Sequence, residues 1–167
     1  MFGPNTYMTV SLSIAQGELD ELDARLLDAL QENARSTYAE LGALVGLSAP
    51  AAHERVKRLE GRGFVRRYAA QLDSKRVGLG LVAFISCYTT QDCNYAAFTD
   101  ALGAIPEIVE VHSVAGEESF LCKAMTRSTD HLDDLLTRLK TMPGMARTRT
   151  TIVLSTPFER GGISLLP

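Results

Sequence analysis

The chain has 167 residues, with 17 Lys+Arg against 20 Asp+Glu and a formal net charge of −3. Hydrophobic residues make up 46% and charged residues 22%, ordinary globular values that exclude general disorder. A chain of this length forms one domain or two small ones and buries roughly 70% of its unfolded surface, so folding requires no disulfide or metal staple.

Residues 1–17 contain no Lys or Arg. A secretory signal needs a basic start, so the segment reads as a flexible N-terminal tail. Leu22, Leu26, Leu27 and Leu30 then recur at helical spacing, with Asp20 and Asp23 suited to a helix N-terminus. A first helix is predicted over about 20–32. Thr37 and Glu40 have capping-box spacing and open a second helix. Its apolar stripe is Leu41, Leu44 and Val45, and Gly46 closes it. Ser48 offers an N-cap for a third helix, and Pro50 falls in the first turn, where its missing N–H costs nothing. Helix, short glycine-containing turn, helix is the helix-turn-helix signature.

On the third helix Ala52, Val56 and Leu59 fall inward at 100° per residue. Pro50, His53, Glu54, Lys57 and Arg58 project outward. Gly61 and Gly63 are predicted to end the helix, and the alternating segment 64–69 reads as a short strand, completing a winged helix. Charge is uneven along this region. Residues 18–52 hold 2 basic and 7 acidic side chains, net −5, whereas residues 53–76 hold 8 basic and 3 acidic, net +5. A local positive block in an acidic protein is the footprint of a polyanion-binding face. The alternative is a solvated helix face whose long basic side chains lie along apolar surface.

Residues 71–80, with Asp73, Ser74, Gly78 and Gly80, read as a linker. A strand follows over 81–89, then a helix carrying Phe98, Ala101, Leu102 and Ile105 ahead of Pro106. Strands over 108–115 and 119–125 flank a turn at Gly116-Glu117-Glu118. Leu132, Leu135, Leu136 and Leu139 mark a second amphipathic helix, closed by Pro143-Gly144, and residues 145–154 form the last strand. The order βαββαβ is ferredoxin-like, so the fold class is α+β, a winged helix-turn-helix followed by a ferredoxin-like domain. The expected divisions are 18–70 for DNA binding, 71–80 as linker, 81–157 for the ferredoxin-like domain and 158–167 as a C-terminal tail. The strand over 81–89 is apolar on both alternate faces. One face is expected under the domain's helices and the other under a second subunit.

No run of 18 apolar residues exists, so no membrane span is expected. Cys87, Cys93 and Cys122 are too few and too widely spaced for a disulfide framework or a CxxC metal site, and read as reduced, buried small hydrophobes. An enzyme would have to use His112, Cys122 or His131, yet no partner carboxylate stands at a telling spacing. No catalytic residue, metal site or cofactor is assigned.

The chain resembles the Lrp/AsnC (leucine-responsive, or feast/famine) transcription regulators over roughly residues 18–157. The matching stretches are Leu19-Asp20-x-x-Asp23-x-x-Leu26-Leu27, Asn33-Ala34-Arg35-Ser36 leading to Glu40-Leu41, and Val45-Gly46-Leu47-Ser48. Arg55-Val56-Lys57-Arg58-Leu59-Glu60 and Gly63-Phe64-Val65 follow in order. The resemblance implies a cytoplasmic bacterial or archaeal DNA-binding regulator that forms homodimers and assembles further, to tetramers or octamers, with an amino-acid effector. That family's hairpin typically reads Gly-x-x-Asp before an aromatic residue. Here it reads Gly116-Glu117-Glu118-Ser119-Phe120, with Ser119 in the acidic position.

At double-stranded DNA, the third helix is expected in the major groove. Lys57 and Arg58 suit phosphate or guanine contacts, Glu54 a cytosine amine, His53 a base or phosphate, and Pro50 and Ala51 apolar contact. Ser36, Thr37 and Ser48 are placed at helix N-termini that face phosphates, and Arg66 and Arg67 on the wing meet the backbone. Arg55, nearer the core, suits a structural or phosphate role. The effector site is expected at Gly116, Glu117, Glu118 and Ser119, joined by Thr148 and Thr150 where a neighbouring subunit brings them close, with Gly116 permitting a tight turn. An effector-free architectural DNA-coating protein is the alternative regulator-like reading.

Overall fold

Three helices over the first third of the chain begin at the predicted caps. The computed structural model describes residues 19–159, 161–163 and 165, so the tail expected over 1–17 lies outside the described residues. α1 spans Glu21–Glu32, α2 Tyr38–Val45 and α3 Ala49–Gly61. Asp20 with Asp23 and Thr37 with Glu40 form reciprocal capping boxes, and Ser48 Oγ accepts the Ala51 N–H. Each pair satisfies N–H groups that a helix start leaves without intrahelical partners. Leu26, Leu30, Leu41, Val45, Ala52 and Val56 share one core.

The turn between α2 and α3 depends on a glycine inside α2. A Cβ on Gly42 would stand 2.5 Å from the Leu47 carbonyl oxygen, and the Gly42 carbonyl accepts the Leu47 N–H at 2.8 Å. Only hydrogen at this position lets the turn fold back onto its own helix.

α3 runs through Gly61 and stops at Gly63, whose φ is 80°. Gly63 N–H reaches the Glu60 carbonyl at 2.9 Å and Phe64 N–H reaches that of Leu59 at 3.0 Å, which is a Schellman motif. The strand predicted over 64–69 does not form: these residues carry no ladder. Alternation defines two faces, but a strand also needs a neighbour to receive its main-chain groups. The described residues of one chain supply none here. Residues 71–80 contain a hydrogen-bonded turn, with Leu79 N–H on the Ser74 carbonyl at 2.7 Å.

The second compact unit spans Gln71–Pro157. β1 (Leu81–Thr89), α4 (Tyr95–Gly103), β2 (Ile108–Ser113), β3 (Phe120–Thr126), α5 (Thr129–Lys140) and β4 (Met145–Ile152) follow the predicted βαββαβ order. The sheet order is β2-β3-β1-β4, with every neighbouring pair antiparallel. Ala83, Ile85, Cys87, Phe120, Cys122 and Ala124 face the helices and pack with Phe98, Leu102, Leu132, Leu135 and Leu139. Cys87 and Cys122 are fully buried free thiols with Sγ atoms 3.9 Å apart, as small hydrophobes would be, whereas Cys93 is half-buried.

Candidate nucleic-acid interface

The inward side of α3 is core, with Ala52, Val56 and Leu59 all at most 1% exposed. The helix therefore turns Pro50, Ala51, Glu54 and Lys57 to solvent. His53 is oriented from outside the helix: its ring lies 4.6 Å from that of Tyr38 on α2, and Nδ1 is 3.7 Å from the Glu54 carboxylate. Arg66 and Arg67 are exposed just beyond α3. No acidic side chain among the described residues pairs with Lys57, Arg66 or Arg67.

Part of the basic block faces inward. Arg55 Nη1 binds Asp20 at 2.5 Å and Asp23 at 2.6 Å, and Arg58 Nη2 approaches Asp23 at 3.2 Å. The Arg55 hydrogen bond is the main reason the Asp20 carboxyl is held below its ordinary range, and Asp20 and Asp23 together raise the Arg55 guanidinium. Arg55 is thus structural, one of the two roles expected of it. Arg58 is shared, with half of its side chain still exposed. Arg62 lies over the Phe64 ring at 4.9 Å, and Arg76 pairs locally with Asp73.

Ser36, Thr37 and Ser48 do stand at helix starts, but their groups are in use there. Thr37 Oγ1 donates to Glu40 Oε2 at 2.9 Å, Ser48 Oγ caps α3, and Ser36 N–H closes a turn on Asn33.

The β2–β3 connection carries Gly116, Glu117, Glu118 and Ser119 and brings Ser119 to two residues not singled out in the sequence. Gly116 does not adopt positive φ, so the tight turn proposed for it is not the reason for a glycine. Gly116 and Glu117 are exposed, and Glu118 is partly so. Ser119 is half-buried and fully engaged. Its N–H donates to the Cys87 carbonyl at 3.0 Å, and its hydroxyl meets Thr89 Oγ1 at 2.7 Å and the Tyr95 hydroxyl at 3.4 Å. Hydrogen bonding with the Ser119 hydroxyl and then the Thr89 hydroxyl holds the Tyr95 phenol below its usual value. Sequence reasoning passed over Thr89 and Tyr95. The only available signal was a tyrosine one residue past the Asn94 N-cap of α4. Thr148 and Thr150 pair with Cys87 and Ile85 on the helix side of the sheet. β1 stands between them and β3, a separation of about 10 Å across two strand spacings. Within one chain they do not join the hairpin.

The two histidines weighed for chemistry have structural partners. His131 Nδ1 accepts the Arg127 N–H at 3.3 Å, and Nε2 meets Glu107 at 2.9 Å. His112 lies within β2 as the sequence pattern implies, beside Glu110 at 3.2 Å and exposed. Among the described residues no cluster of three His, Cys, Asp or Glu could hold a metal ion, and no helix is long and apolar enough to cross a membrane.

Comparison with known proteins matches both units. Residues 19–60 fit the AsnC-type helix-turn-helix domain and residues 82–163 the Lrp/AsnC ligand binding domain. The chain is 38% identical to the transcriptional regulator LrpA of Mycobacterium tuberculosis, over 84% of this chain and 93% of that one. It is 31% identical to regulatory protein AsnC of Escherichia coli, over 85% and 94%. Among solved structures, a transcriptional regulator of Neisseria meningitidis in complex with L-methionine superposes with a TM-score of 0.82 at 31% identity, covering 89% of this chain and 96% of that one. A helix-turn-helix unit with an outward α3 and a four-stranded antiparallel domain, each matched by its own family model, place this chain in the Lrp/AsnC family of transcriptional regulators.

Proposed function

We propose that this chain is a cytoplasmic regulator, without catalytic activity, that binds double-stranded DNA as a homodimer or larger assembly. Residues 18–70 are its reading unit and 81–157 its ligand-binding and assembly domain. The observation that carries this reading is the division of α3, whose one face is wholly core while the other presents Pro50, Ala51, His53, Glu54 and Lys57. The major groove admits such a helix. Lys57, Arg66, Arg67 and the free edge of Arg58 serve phosphates, and positioning contacts of this kind carry no sequence information themselves. Specificity then rests on Glu54, His53 and sequence-dependent DNA shape.

The effector is an amino acid or related small molecule. The Neisseria relative holding L-methionine supports the ligand class. Gly116, Glu117 and Glu118 are the exposed groups of the hairpin, and a carboxylate among them suits a ligand ammonium. Ser119 contributes its shared hydroxyl, and Thr148 and Thr150 enter only if a neighbouring subunit supplies them. The test is selection of duplexes from a random library, repeated with each of the twenty amino acids. One enriched sequence class, with occupancy or assembly altered by at least one amino acid, is the expected result. Failure to enrich any duplex refutes DNA reading. Enrichment that no amino acid alters leaves DNA reading standing and refutes the effector, as for an architectural DNA-coating protein.

A further inference from the structure

The C-terminal end of the chain returns to the helix-turn-helix. The described residues from Phe158 to Leu165 belong to the same compact unit as α1, α2 and α3, and Gly161, Gly162, Ile163 and Leu165 border a cleft with Leu27, Leu30, Phe64 and Tyr68.

Gln31 on α1 makes the central contact. Its Oε1 accepts the Ile163 N–H at 2.8 Å, and its Nε2 donates to the Ile163 carbonyl at 2.9 Å. A side-chain amide that both accepts from and donates to one residue reproduces the two-bond exchange of a hydrogen-bonded pair in an antiparallel sheet. Asp28 lies three residues earlier and so on the same face of the helix. Its Oδ1 accepts the Leu165 N–H at 3.2 Å and also Gln31 Nε2 at 3.2 Å, which fixes the rotamer that meets the tail.

The tail's sequence suits this approach. A Cβ on Gly162 would stand 2.5 Å from Gln31 Oε1 and 3.0 Å from its Cδ, the atoms that hold Ile163. The Ile163 side chain is itself 73% exposed. Recognition is therefore of main chain, with glycine permitting the approach and Leu165 meeting the apolar cleft.

We propose that the Asp28–Gln31 face of α1 is a docking site for a Gly-Gly-aliphatic peptide, and that its occupant is this chain's own Gly161, Gly162, Ile163 and Leu165. The tail rejoins the first compact unit at Phe158. It reaches Gly162 only ten residues after β4 ends at Ile152. It also grips the helix that carries Asp20 and Asp23, the partners of Arg55 and Arg58 on α3. The docking itself does not depend on DNA binding or on an effector.

Hydrogen exchange on the protein without DNA tests it. The Ile163 amide should be protected at least tenfold relative to an unstructured chain, and Gly162→Val should abolish that protection. A chain ending at Pro157 should show faster exchange over residues 28–33, by roughly threefold or more. A synthetic peptide of residues 158–167 should reverse that change. Adding Gln31→Ala to the shortened chain should have no further effect, because both changes remove the same contact. An unprotected Ile163 amide, or protection that survives Gly162→Val, overturns the docking. If equimolar full-length chain protects α1 of the shortened chain, the tail docks between copies and the assignment to the same chain is overturned.

Discussion

Arg55 of α3 stands 2.6 Å from Asp23 of α1, and the Asp23 side chain is only 3% exposed. Arg58 adds a second guanidinium to the same carboxylate, and Asp20 takes the outer side of Arg55. Two of the eight cations in the basic block thus fix the angle between α1 and α3. Removing one partner of a buried pair leaves the other charge uncompensated. Arg55→Ala should therefore destabilise the protein by about 2–4 kcal/mol, read as a lower melting temperature. The salt dependence of DNA binding should be unaltered. An unchanged melting curve with a shallower salt slope would make Arg55 a phosphate contact instead.

Lys57 is the contrasting case, exposed on the outward face of α3 and without an acidic partner among the described residues. Each phosphate contact releases condensed counterions, so Lys57→Ala should lower the slope of log affinity against log salt by about one. Arg66→Ala and Arg67→Ala should act similarly on every duplex. Glu54→Gln should change which duplex is preferred, with little effect on the slope. Fluorescence anisotropy across a salt series separates these outcomes, and a Lys57→Ala slope equal to wild type removes α3 from the groove.

The helices were legible in sequence because caps and apolar periodicity are local signals: Thr37 with Glu40, Ser48, and the Leu26/Leu30 stripe all act within a turn or two. The residues that complete each site are distant in sequence. The helical position of Arg55 signals a side chain near the core, but nothing local names Asp20 and Asp23 of α1 as its partners. Ser119 reads as a missing carboxylate until Thr89 and Tyr95 are seen to share its hydroxyl. Segment 64–69 has the alternation of a strand, but pairing requires a partner that alternation cannot supply.

Gly42 was legible only in structure. Gly46 announces the end of α2 by its place, whereas Gly42 sits mid-helix, where glycine ordinarily costs about 1 kcal/mol against alanine. Propensity alone therefore favours Gly42→Ala. The 2.5 Å approach to the Leu47 carbonyl oxygen reverses the sign, since a backbone atom cannot rotate away. Gly42→Ala should destabilise by about 1–3 kcal/mol and weaken DNA binding by displacing α3. A melting temperature at or above wild type would show that the turn relaxes freely.

Phe84 lies on the sheet face opposite the helices and is 39% exposed. Val82, Leu121 and Met125 share that face by register and are each half-exposed. Lys123, directly across from Phe84 and bound to Glu110 at 3.4 Å, lies among them, and Arg147 stacks 3.6 Å over the Tyr88 ring. A cluster of part-exposed apolar side chains whose one cation is already paired suits a subunit interface. Phe84→Asp places a charge in that cluster and should convert the oligomer to monomer in sedimentation velocity, with the far-UV spectrum retained. An unchanged sedimentation coefficient would place the interface elsewhere.

Glu107 joins the α4–β2 turn to α5, meeting His131 at 2.9 Å and Arg138 at 2.5 Å. Burial alone would raise its carboxyl. The hydrogen bond from His131, a backbone hydrogen bond and Arg138 together outweigh burial and hold it down to about 2, against an ordinary 4.5. His131 Nδ1 already accepts the Arg127 N–H, so the neutral ring donates from Nε2 and the contact does not require a charged imidazole. Between these two values the unfolded chain binds a proton that the folded chain does not, so stability rises with pH there. The contribution is fully present above about pH 4.5 and is lost as pH falls toward 2, amounting to about 1–3 kcal/mol. Glu107→Gln should lower stability at pH 7 and flatten the decline below pH 4.5. Denaturant unfolding at pH 7, 4.5 and 2.5 reads both effects. Parallel curves for wild type and variant over the acid range would show that Glu107 titrates alike in the folded and unfolded chains.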